Sequence, residues 1–338
     1  MSNTSASRPT NARGPAADTG SATPKPRGDA RSGRPGGRPP KAGKTPKATA
    51  RDWIGGARLR TLPLAIAPVA LGTGAAYLAD HSAGWHWVRA LLCLAVAVGL
   101  QIGVNYANDY SDGIRGTDAY RVGPSRLTGS GAASARSVLT VALVFFALAG
   151  IAGAVVSVLS GFPWLIIVGV ACIVAAYFYT GGKHPYGYYA LGEVFVFLFF
   201  GLVATVGTMF VQVKTVNVEA WVAAVAIGLL ACAVLMVNNI RDAQQDKFAK
   251  KRTLAVLVGN WPSRILFSVF TLLPFVALAG FGVLYPNANY VFFALLAAIP
   301  AVIITLTGKT PAEFILVLKL TSLTALIFGV GLAAALAF

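Results

Sequence analysis

Long apolar blocks alternate with short polar connections along most of this chain. A helix that crosses the hydrocarbon core of a bilayer needs about 20 mostly apolar residues. From Thr61 onward we count nine runs of about this length. They lie near residues 62–79, 87–107, 137–159, 163–180, 190–212, 219–239, 263–284, 289–307 and 312–336. The pattern predicts an all-α protein, a polytopic membrane bundle of about nine transmembrane helices.

The first fifty residues have the opposite pattern. They contain no Val, Ile, Leu, Phe, Tyr or Trp, but eight Pro residues and ten Lys or Arg residues against two Asp. Such a segment buries too little apolar surface to offset the entropy of ordering it. We therefore predict a disordered, basic, Pro/Gly-rich tail over residues 1–50 and a transmembrane domain over residues 51–338.

Composition supports the membrane interpretation and changes the meaning of the net charge. Charged residues make up 12% of the chain and hydrophobic residues 56%, whereas a soluble domain carries about 25% charged residues. Half of the formal net charge of +16 lies in the tail, where it suits an anionic lipid surface. The excess of basic residues is therefore explained without a nucleic-acid partner.

The basic residues of the loops predict the orientation in the cell membrane. Placing the N-terminus in the cytoplasm puts 15 of the domain's 18 basic residues on that side, only Arg89 and Lys214 outside, and Lys319 inside a helix near its cytoplasmic end. Cytoplasmic loops carry an excess of Lys and Arg. The connections near 108–136 and 240–262 then both open to the cytoplasmic face.

These two connections hold half of the domain's ten acidic residues. The first begins at the end of the second run, where offsets of three and four residues connect Asn105 to Asn108 and Asp109, and both of these to Asp112; Asp118 follows. Residues at these offsets share one surface of a helix. Carboxylates this close repel each other and are costly to desolvate at a membrane border, which favours a functional role.

The second cluster lies at the end of the sixth run. Asn238 precedes Asp242 and Asp246, and the two acids again share a helical face. Magnesium prefers hard oxygen ligands and usually binds one or two carboxylates together with substrate phosphates. Two such clusters on one face predict a Mg²⁺ site for a diphosphate.

Basic residues follow both clusters, and their charge suits phosphate oxygens better than a bare cation. They are Arg121, Arg126, Lys247, Lys250, Lys251 and Arg252. Three alternatives remain open at this point: an enzyme acting on a diphosphate, a cation-coupled transporter and a lipid-diphosphate scaffold. A transporter more often places its acids at mid-membrane in broken helices and inverted repeats, and we find no such repeat.

Five stretches resemble a known family. They are RLRTLPLAIAPVALGTG (58–74), NDYSDGIRGTD (108–118), GPSRLTGSG (123–131), YTGGKHPYGYYALGEVFVFLFFG (179–201) and NNIRDAQQDKFAKKRTLAVLVG (238–259). Residues 51–338 thereby resemble the UbiA superfamily of intramembrane prenyltransferases. The gap between Asp112 and Asp118 and the KRTLAVLVG ending are similar to its dihydroxynaphthoate branch.

The resemblance implies an enzyme that transfers a polyprenyl group from polyprenyl diphosphate to an aromatic acid. In the dihydroxynaphthoate branch the acceptor is 1,4-dihydroxy-2-naphthoate, which loses its carboxylate, and the product is a demethylmenaquinone. An acceptor of the 4-hydroxybenzoate or homogentisate type is the alternative. The implied Mg²⁺ ligands and catalytic residues are Asp109, Asp112, Asp242 and Asp246.

The remaining implied site residues bind substrate. Asn105, Asn108 and Asn238 orient ligands or waters, and Asp118 completes the first cluster. Arg126, Lys251 and Arg252 bind phosphate. Glu193 stands alone inside an apolar run, where an acid is expensive, and we predict that it lies near the acceptor.

Overall fold

A computed structural model describes residues 47–81, 86–116 and 126–338 of the chain. All regular secondary structure of these residues is helical. Most of the predicted tail, residues 1–46, lies outside the described residues, as does Asp118. The predictions for the tail and for Asp118 therefore stay predictions.

The nine apolar runs coincide with helical segments. The helices are α1 (Ala50–Gly56), α2 (Pro63–Ala79), α3 (His86–Ile114), α4 (Ala135–Ser160), α5 (Leu165–Phe178), α6 (Gly192–Val196), α7 (Ala204–Val213), α8 (Val218–Phe248), α9 (Leu254–Val258), α10 (Asn260–Leu284), α11 (Leu295–Thr307) and α12 (Pro311–Ala337). Short 3₁₀ segments cover Leu59–Thr61, Tyr186–Tyr188 and Pro286–Ala294, and a π-helical segment, Phe197–Val203, joins α6 to α7.

Seven of the described helical segments are long and apolar enough to cross a membrane. An eighth span is formed if α1 and α2, which meet at a 47° bend, count as one. Helix α5 has 14 residues, which corresponds to about 21 Å. It is therefore shorter than the roughly 30 Å hydrocarbon core. The multi-pass helical membrane architecture is confirmed, whereas the count of nine spans stays a prediction.

Helices α3 and α8 extend beyond the apolar runs that predicted them. They contain 29 and 31 residues, or about 43 and 46 Å, which exceeds the hydrocarbon thickness. Consequently, Asp109, Asp112, Asp242 and Asp246 lie in the last turns of these helices rather than in loops. Hydropathy detects only the apolar part of a helix, and polar residues continue the same backbone hydrogen-bond ladder.

The core of the molecule surrounds α8. Buried side chains of α2, α8, α10, α11 and α12 form one large hydrophobic cluster, and a smaller cluster joins α3 to α4. Most of the apolar part of α8 is buried inside the protein, as expected for a helix that is apolar on all sides. The helices α3 to α7 are packed less completely and leave a cavity beside α8.

A glycine pair fixes the π-helical segment against α8. A Cβ atom at Gly201 would lie 2.7 Å from Cα of Gly228, and one at Gly228 would lie 2.8 Å from the Phe197 ring. Both positions therefore need glycine for the two backbones to approach. This contact holds the π-helical segment so that Phe199, Phe200 and Val203 line the cavity.

Two arginines hold helix ends on opposite sides of the bundle. Arg89 donates to the carbonyl oxygens of Leu159, Val211 and Gln212 at 2.8–3.0 Å, where α4 and α7 end. Arg264 donates to the carbonyl oxygens at the end of α11 and to Asn260 Oδ1. Terminal carbonyls have no partner within their own helix, so both arginines satisfy them and join neighbouring helices.

Candidate functional site

A cavity of about 430 Å³ runs between α8 and the helices α3 to α7. One end is polar. Its lining includes eight of the residues predicted from sequence: Asn105, Asn108, Asp112, Arg126, Asn238, Asp242, Asp246 and Lys251. The structure thus brings the ends of α3 and α8 to one site, as the two polar clusters predicted.

Four polar residues that sequence reasoning missed also line this end: Arg58, Tyr188, Asn239 and Arg241. Arg58 adopts a left-handed backbone conformation with φ 53°, just before the bend between α1 and α2. A single arginine or tyrosine next to an apolar run is indistinguishable in sequence from an ordinary interface residue. Only the packing of the bundle reveals that these side chains face the cavity.

Asp112 is the centre of the polar end. It accepts hydrogen bonds from Lys251 Nζ at 2.8 Å and from the Tyr188 hydroxyl at 3.1 Å. The Arg126 guanidinium lies 3.1 Å from its other oxygen. Lys251 also lies 4.7 Å from the centre of the Tyr188 ring, within the range of a cation–π contact. This cluster joins α3, the 3₁₀ turn Tyr186–Tyr188 and the segment after α8.

The same contacts set the charge of Lys251. Burial acts to lower its pKa, but the Asp112 carboxylate and the phenolic oxygen of Tyr188 outweigh burial and hold the pKa above its usual value. Lys251 is therefore a firmly protonated cation. Burial and the negative charge of Asp112 raise the pKa of Tyr188, which keeps its hydroxyl neutral and able to donate.

Asp109 differs from Asp112, its neighbour on α3. Its two oxygens accept hydrogen bonds from the backbone N–H groups of Leu127 and Thr128, at 3.0 and 2.9 Å. Asp109 is 3% exposed and is not part of the cavity lining. In this conformation its carboxylate holds the loop that carries Arg126.

The acids of α8 line the cavity directly. Both oxygens of Asp242 accept from the guanidinium of Arg241, at 2.7 Å each. Such a two-point contact is geometrically specific. Asn238 donates to the carbonyl of Val234 in its own helix at 3.1 Å. Asp242 and Asp246, one turn apart, are confirmed to share the face that meets the cavity.

The asparagines of α3 are held by neighbouring elements. Asn105 donates to the carbonyl of Ala57 at 2.9 Å and to the Thr61 hydroxyl at 3.3 Å. Asn108 accepts from the Thr180 hydroxyl at 2.5 Å. These bonds fix the polar end of α3 against the bend before α2 and the end of α5, so both amides are rigid elements of the wall.

Two predicted residues, the exposed Arg252 and the buried Glu193, are not part of the cavity lining. Arg252 is not in the lining, and its backbone N–H donates to the carbonyl of Tyr188 at 2.9 Å. Glu193 is 6% exposed and accepts from the Asn239 amide at 2.9 Å. Glu193 is thus connected to the cavity through Asn239 rather than directly.

The described residues do not form a closed metal cage. Within residues 47–81, 86–116 and 126–338, no group of three or more His, Cys, Asp or Glu side chains is close enough to hold a metal ion. Magnesium bound through one or two carboxylates, water and substrate phosphates needs no such cage. The carboxylate and amide oxygens at the polar end fit that mode, with cations beside them for phosphate.

The rest of the cavity is apolar. Four aromatic rings follow one wall, with centroid separations of 5.5, 4.2 and 5.9 Å along the series Tyr179, Tyr186, Phe195 and Phe199. Farther along, glycines and small side chains of α4, α5 and α7 leave space. An amphiphile with a phosphorylated head and a long hydrocarbon tail matches this arrangement.

Comparison with known proteins agrees with this geometry. The model of the UbiA prenyltransferase family matches residues 65–313. A 1,4-dihydroxy-2-naphthoate octaprenyltransferase of Mycobacterium tuberculosis is 49% identical over 295 residues, which cover 86% of this chain and 98% of that protein. The Escherichia coli protein of the same name is 36% identical over 252 residues, covering 73% and 81%.

Solved structures have the same fold at low sequence identity. The apo structure of a UbiA homologue from Aeropyrum pernix K1 matches with a TM-score of 0.60 and 16% identity, covering 85% of this chain and 98% of that one. A UbiA homologue from Archaeoglobus fulgidus bound to GPP and Mg²⁺ matches with a TM-score of 0.58 and 15% identity, covering 85% and 100%.

Proposed function

This chain belongs to the UbiA prenyltransferase family, and from that premise we propose that it transfers a polyprenyl group from polyprenyl diphosphate to 1,4-dihydroxy-2-naphthoate. The relatives from M. tuberculosis and E. coli carry the name of this activity, and the first is matched over nearly its whole length. The observation that carries the proposal is the cavity itself, which joins a cationic, carboxylate-lined end to a long apolar space.

The polar end suits the diphosphate and a divalent metal. Asp112, Asp242 and Asp246 offer carboxylate oxygens from two helices, and Asn105, Asn108 and Asn238 lie beside them. Mg²⁺, when bound there, would neutralise the diphosphate and stabilise it as a leaving group. The A. fulgidus homologue bound to GPP and Mg²⁺ supports this assignment. The sequence resemblance also implies Asp109 as a ligand, but its two oxygens hold the backbone of the loop, so we do not include it in the metal-binding set; the substitution Asp109→Asn tests this choice.

Lys251 and Arg126 bind first a carboxylate and then the substrate in this proposal. In the structure described here, Lys251 and Arg126 bind Asp112, and this pairing compensates a buried carboxylate. When a diphosphate enters, Lys251 and Arg126 would turn to its phosphate oxygens, which would leave the Asp112 carboxylate to hold Mg²⁺. These cations then stabilise the charge that develops on the leaving group.

The apolar walls protect the reaction from water. The allylic C–O bond breaks with its electron pair leaving on the diphosphate, and the electron-rich ring attacks the resulting carbocation at the carbon that bears the carboxylate. The C–CO₂ bond then breaks, its electrons restore the aromatic ring, and carbon dioxide leaves, giving a demethylmenaquinone in its reduced form. A carbocation survives only where water is excluded, and the aromatic wall from Tyr179 to Phe199 supplies such a surface.

The proposal includes an arrangement in the cell membrane. The N-terminus lies in the cytoplasm and the polar end of the cavity opens to the cytoplasmic face, where the basic loops lie. With α1–α2 as one bent span and α5 as a short one, the nine predicted runs all pass through the bilayer. Residues 1–50 are a separate basic tail and residues 51–338 are the prenyltransferase domain.

A reconstituted assay tests the proposed function. We expect the full chain in detergent, given Mg²⁺, a polyprenyl diphosphate and 1,4-dihydroxy-2-naphthoate labelled in its carboxylate, to release diphosphate and labelled carbon dioxide. Mass spectrometry should detect the prenylated naphthoquinol. EDTA should stop turnover and Mg²⁺ should restore it. Asp242→Asn should abolish turnover while the protein stays monodisperse.

An acceptor panel makes the assay decisive. Dihydroxynaphthoate is expected to react at least tenfold faster than 4-hydroxybenzoate or homogentisate. If 4-hydroxybenzoate or homogentisate reacted faster than dihydroxynaphthoate, the acceptor assignment would be wrong and the faster compound would indicate the acceptor class. Absence of metal-dependent product with every acceptor would contradict the prenyltransferase assignment.

A further inference from the structure

Glu193 is a buried acid that the proposed chemistry does not yet use. It lies in the first turn of α6, is 6% exposed and belongs to a candidate membrane span, where an acid is expensive and marks a functional position. Its Oε2 atom is buried and has no hydrogen-bond partner among the described residues. The other oxygen, Oε1, accepts from Nδ2 of Asn239 at 2.9 Å.

This bond fixes which end of the Asn239 amide meets the cavity. An asparagine amide has a donor end and an acceptor end. Glu193 engages the donor end, and Asn239 lines the cavity, so the acceptor oxygen Oδ1 remains for a ligand. A hydrogen-bond acceptor on the donor end polarises the amide and makes Oδ1 a stronger acceptor.

The position of Asn239 favours the acceptor ring over the metal. Asn239 precedes Asp242 by three residues, which places it about 4.5 Å farther along α8 toward the apolar half of the cavity. The aromatic wall begins at the same level: a Cβ atom at Gly192 would lie 3.4 Å from the Tyr179 hydroxyl, and Tyr179, Tyr186 and Phe195 all line the cavity. A flat, hydroxylated ring fits between an amide oxygen and such a wall.

We propose that Glu193 is a positioning residue that fixes the amide of Asn239 so that Oδ1 accepts a hydrogen bond from a ring hydroxyl of the aromatic acceptor. This inference rests on the proposed function and assigns the acceptor ring to the corner where α6 meets α8. It predicts that Glu193 affects acceptor binding and leaves donor and metal binding unchanged.

The substitution Glu193→Gln tests the inference, because glutamine keeps the shape but carries an NH₂ group that competes with the Asn239 donor end and turns Oδ1 away from the cavity. We expect the KM for dihydroxynaphthoate to rise at least tenfold, while the KM for polyprenyl diphosphate and the half-saturating Mg²⁺ concentration stay within twofold. Glu219→Gln is the matched control. Glu219 accepts from the Tyr285 hydroxyl at 2.9 Å near the opposite end of α8, and this variant should have wild-type kinetics.

Inhibition constants separate this role from a structural one. We expect 1-hydroxy-2-naphthoate or 4-hydroxy-2-naphthoate to compete with the acceptor better than 2-naphthoate does in the wild type, and Glu193→Gln to lose that preference while still binding 2-naphthoate. Asn239→Ser, which leaves Glu193 in place, should give the same result and carries the test if Glu193→Gln fails to fold.

Two results would overturn the inference: an unchanged acceptor KM in these variants, or a change confined to the Mg²⁺ requirement. A wild type that forms no prenylated naphthoquinol would instead overturn the proposed function, so the two failures are distinguishable.

Discussion

Neighbouring acids on α3 have different contacts, which hydropathy and spacing do not reveal. Asp112 faces the cavity and binds Lys251, whereas Asp109 accepts two backbone N–H groups of the loop that carries Arg126. A buried carboxylate that satisfies two backbone donors is a strong local constraint. The direction in which each side chain points therefore determines whether the acid is available to a metal in the cavity or holds the loop.

The substitution Asp109→Asn distinguishes these two roles. The asparagine side chain has one oxygen and one NH₂ group, so one of the two backbone N–H groups would lose its acceptor. We expect the free energy of unfolding to fall by about 1–3 kcal/mol, as measured by thermal unfolding in detergent. The kcat should fall, because Arg126 loses its support, while the half-saturating Mg²⁺ concentration stays the same.

Asp52→Asn provides a comparison, since Asp52 also accepts a backbone N–H group, from Thr49 at 2.8 Å, but at the exposed end of α1. Activity should be retained there. A Mg²⁺ requirement raised tenfold in Asp109→Asn, with unchanged stability, would instead make Asp109 a metal ligand.

Lys251 is expected to bind the phosphate groups of the donor. Lys251→Gln removes a cation from the polar end, and we expect the KM for polyprenyl diphosphate to rise at least tenfold because a charge-assisted contact to phosphate is lost. Lys309→Gln, at an exposed position between α11 and α12, should leave that KM unchanged. An unaltered donor KM in Lys251→Gln would exclude Lys251 from phosphate binding.

At the scale of the elements, two local features shape the apolar half of the cavity. The π-helical segment Phe197–Val203 presents aromatic side chains to the cavity, and glycines on α5 and α7 widen it. A Cβ atom at Gly169 or Gly207 would meet nothing within 4 Å. These two glycines are therefore not required for close packing of the backbone. The open space beside them can hold a hydrocarbon tail.

The substitution Gly207→Leu tests whether the prenyl tail uses this space. A leucine there fills part of the cavity without a backbone clash, so we expect the kcat/KM with an octaprenyl donor to fall at least tenfold while a geranyl donor is affected less than twofold. Gly280→Leu on α10 is the matched control, since Gly280 also has open space but is exposed on the outer surface. Equal effects on both donors would place the tail elsewhere.

At the scale of the whole molecule, the distribution of charge predicts the orientation in the membrane. The predicted cytoplasmic side carries most basic loop residues, and the polar end of the cavity is built from helix ends on the side of the basic segment after α8. We therefore expect orientation and chemistry to be linked, because the positive charges that predict a cytoplasmic loop are next to those that suit a diphosphate.

Accessibility of introduced cysteines checks this orientation. In whole cells, a membrane-impermeant maleimide should label Thr215→Cys, between α7 and α8, and should label Lys309→Cys only after permeabilisation. The native Cys93, Cys172 and Cys232 lie within helices, and none is an exposed residue, so background labelling should be low. The reverse pattern would invert the topology.

Much of the architecture was predictable because bilayer insertion imposes simple rules on sequence. Each apolar run coincides with a helical segment, since the bilayer requires internally satisfied backbone hydrogen bonds. The lengths of α3 and α8 were underestimated, because their polar ends carry no hydropathy signal. The short length of α5 and the bend before α2 depend on neighbouring helices. The number of membrane spans was therefore less predictable than the existence of the helices.

The order of residues along the chain already shows that α3 and α8 each end in a cluster of carboxylates. Which of these carboxylates share a cavity depends on how the helices pack against one another. At about 100° per residue, Asn105 and Asp112 differ by about 20° around α3, whereas Asp109 lies to one side of this line. A small rotation of the helix against its neighbours therefore directs Asp109 to a loop and Asp112 to the cavity, and that rotation is set by long-range packing.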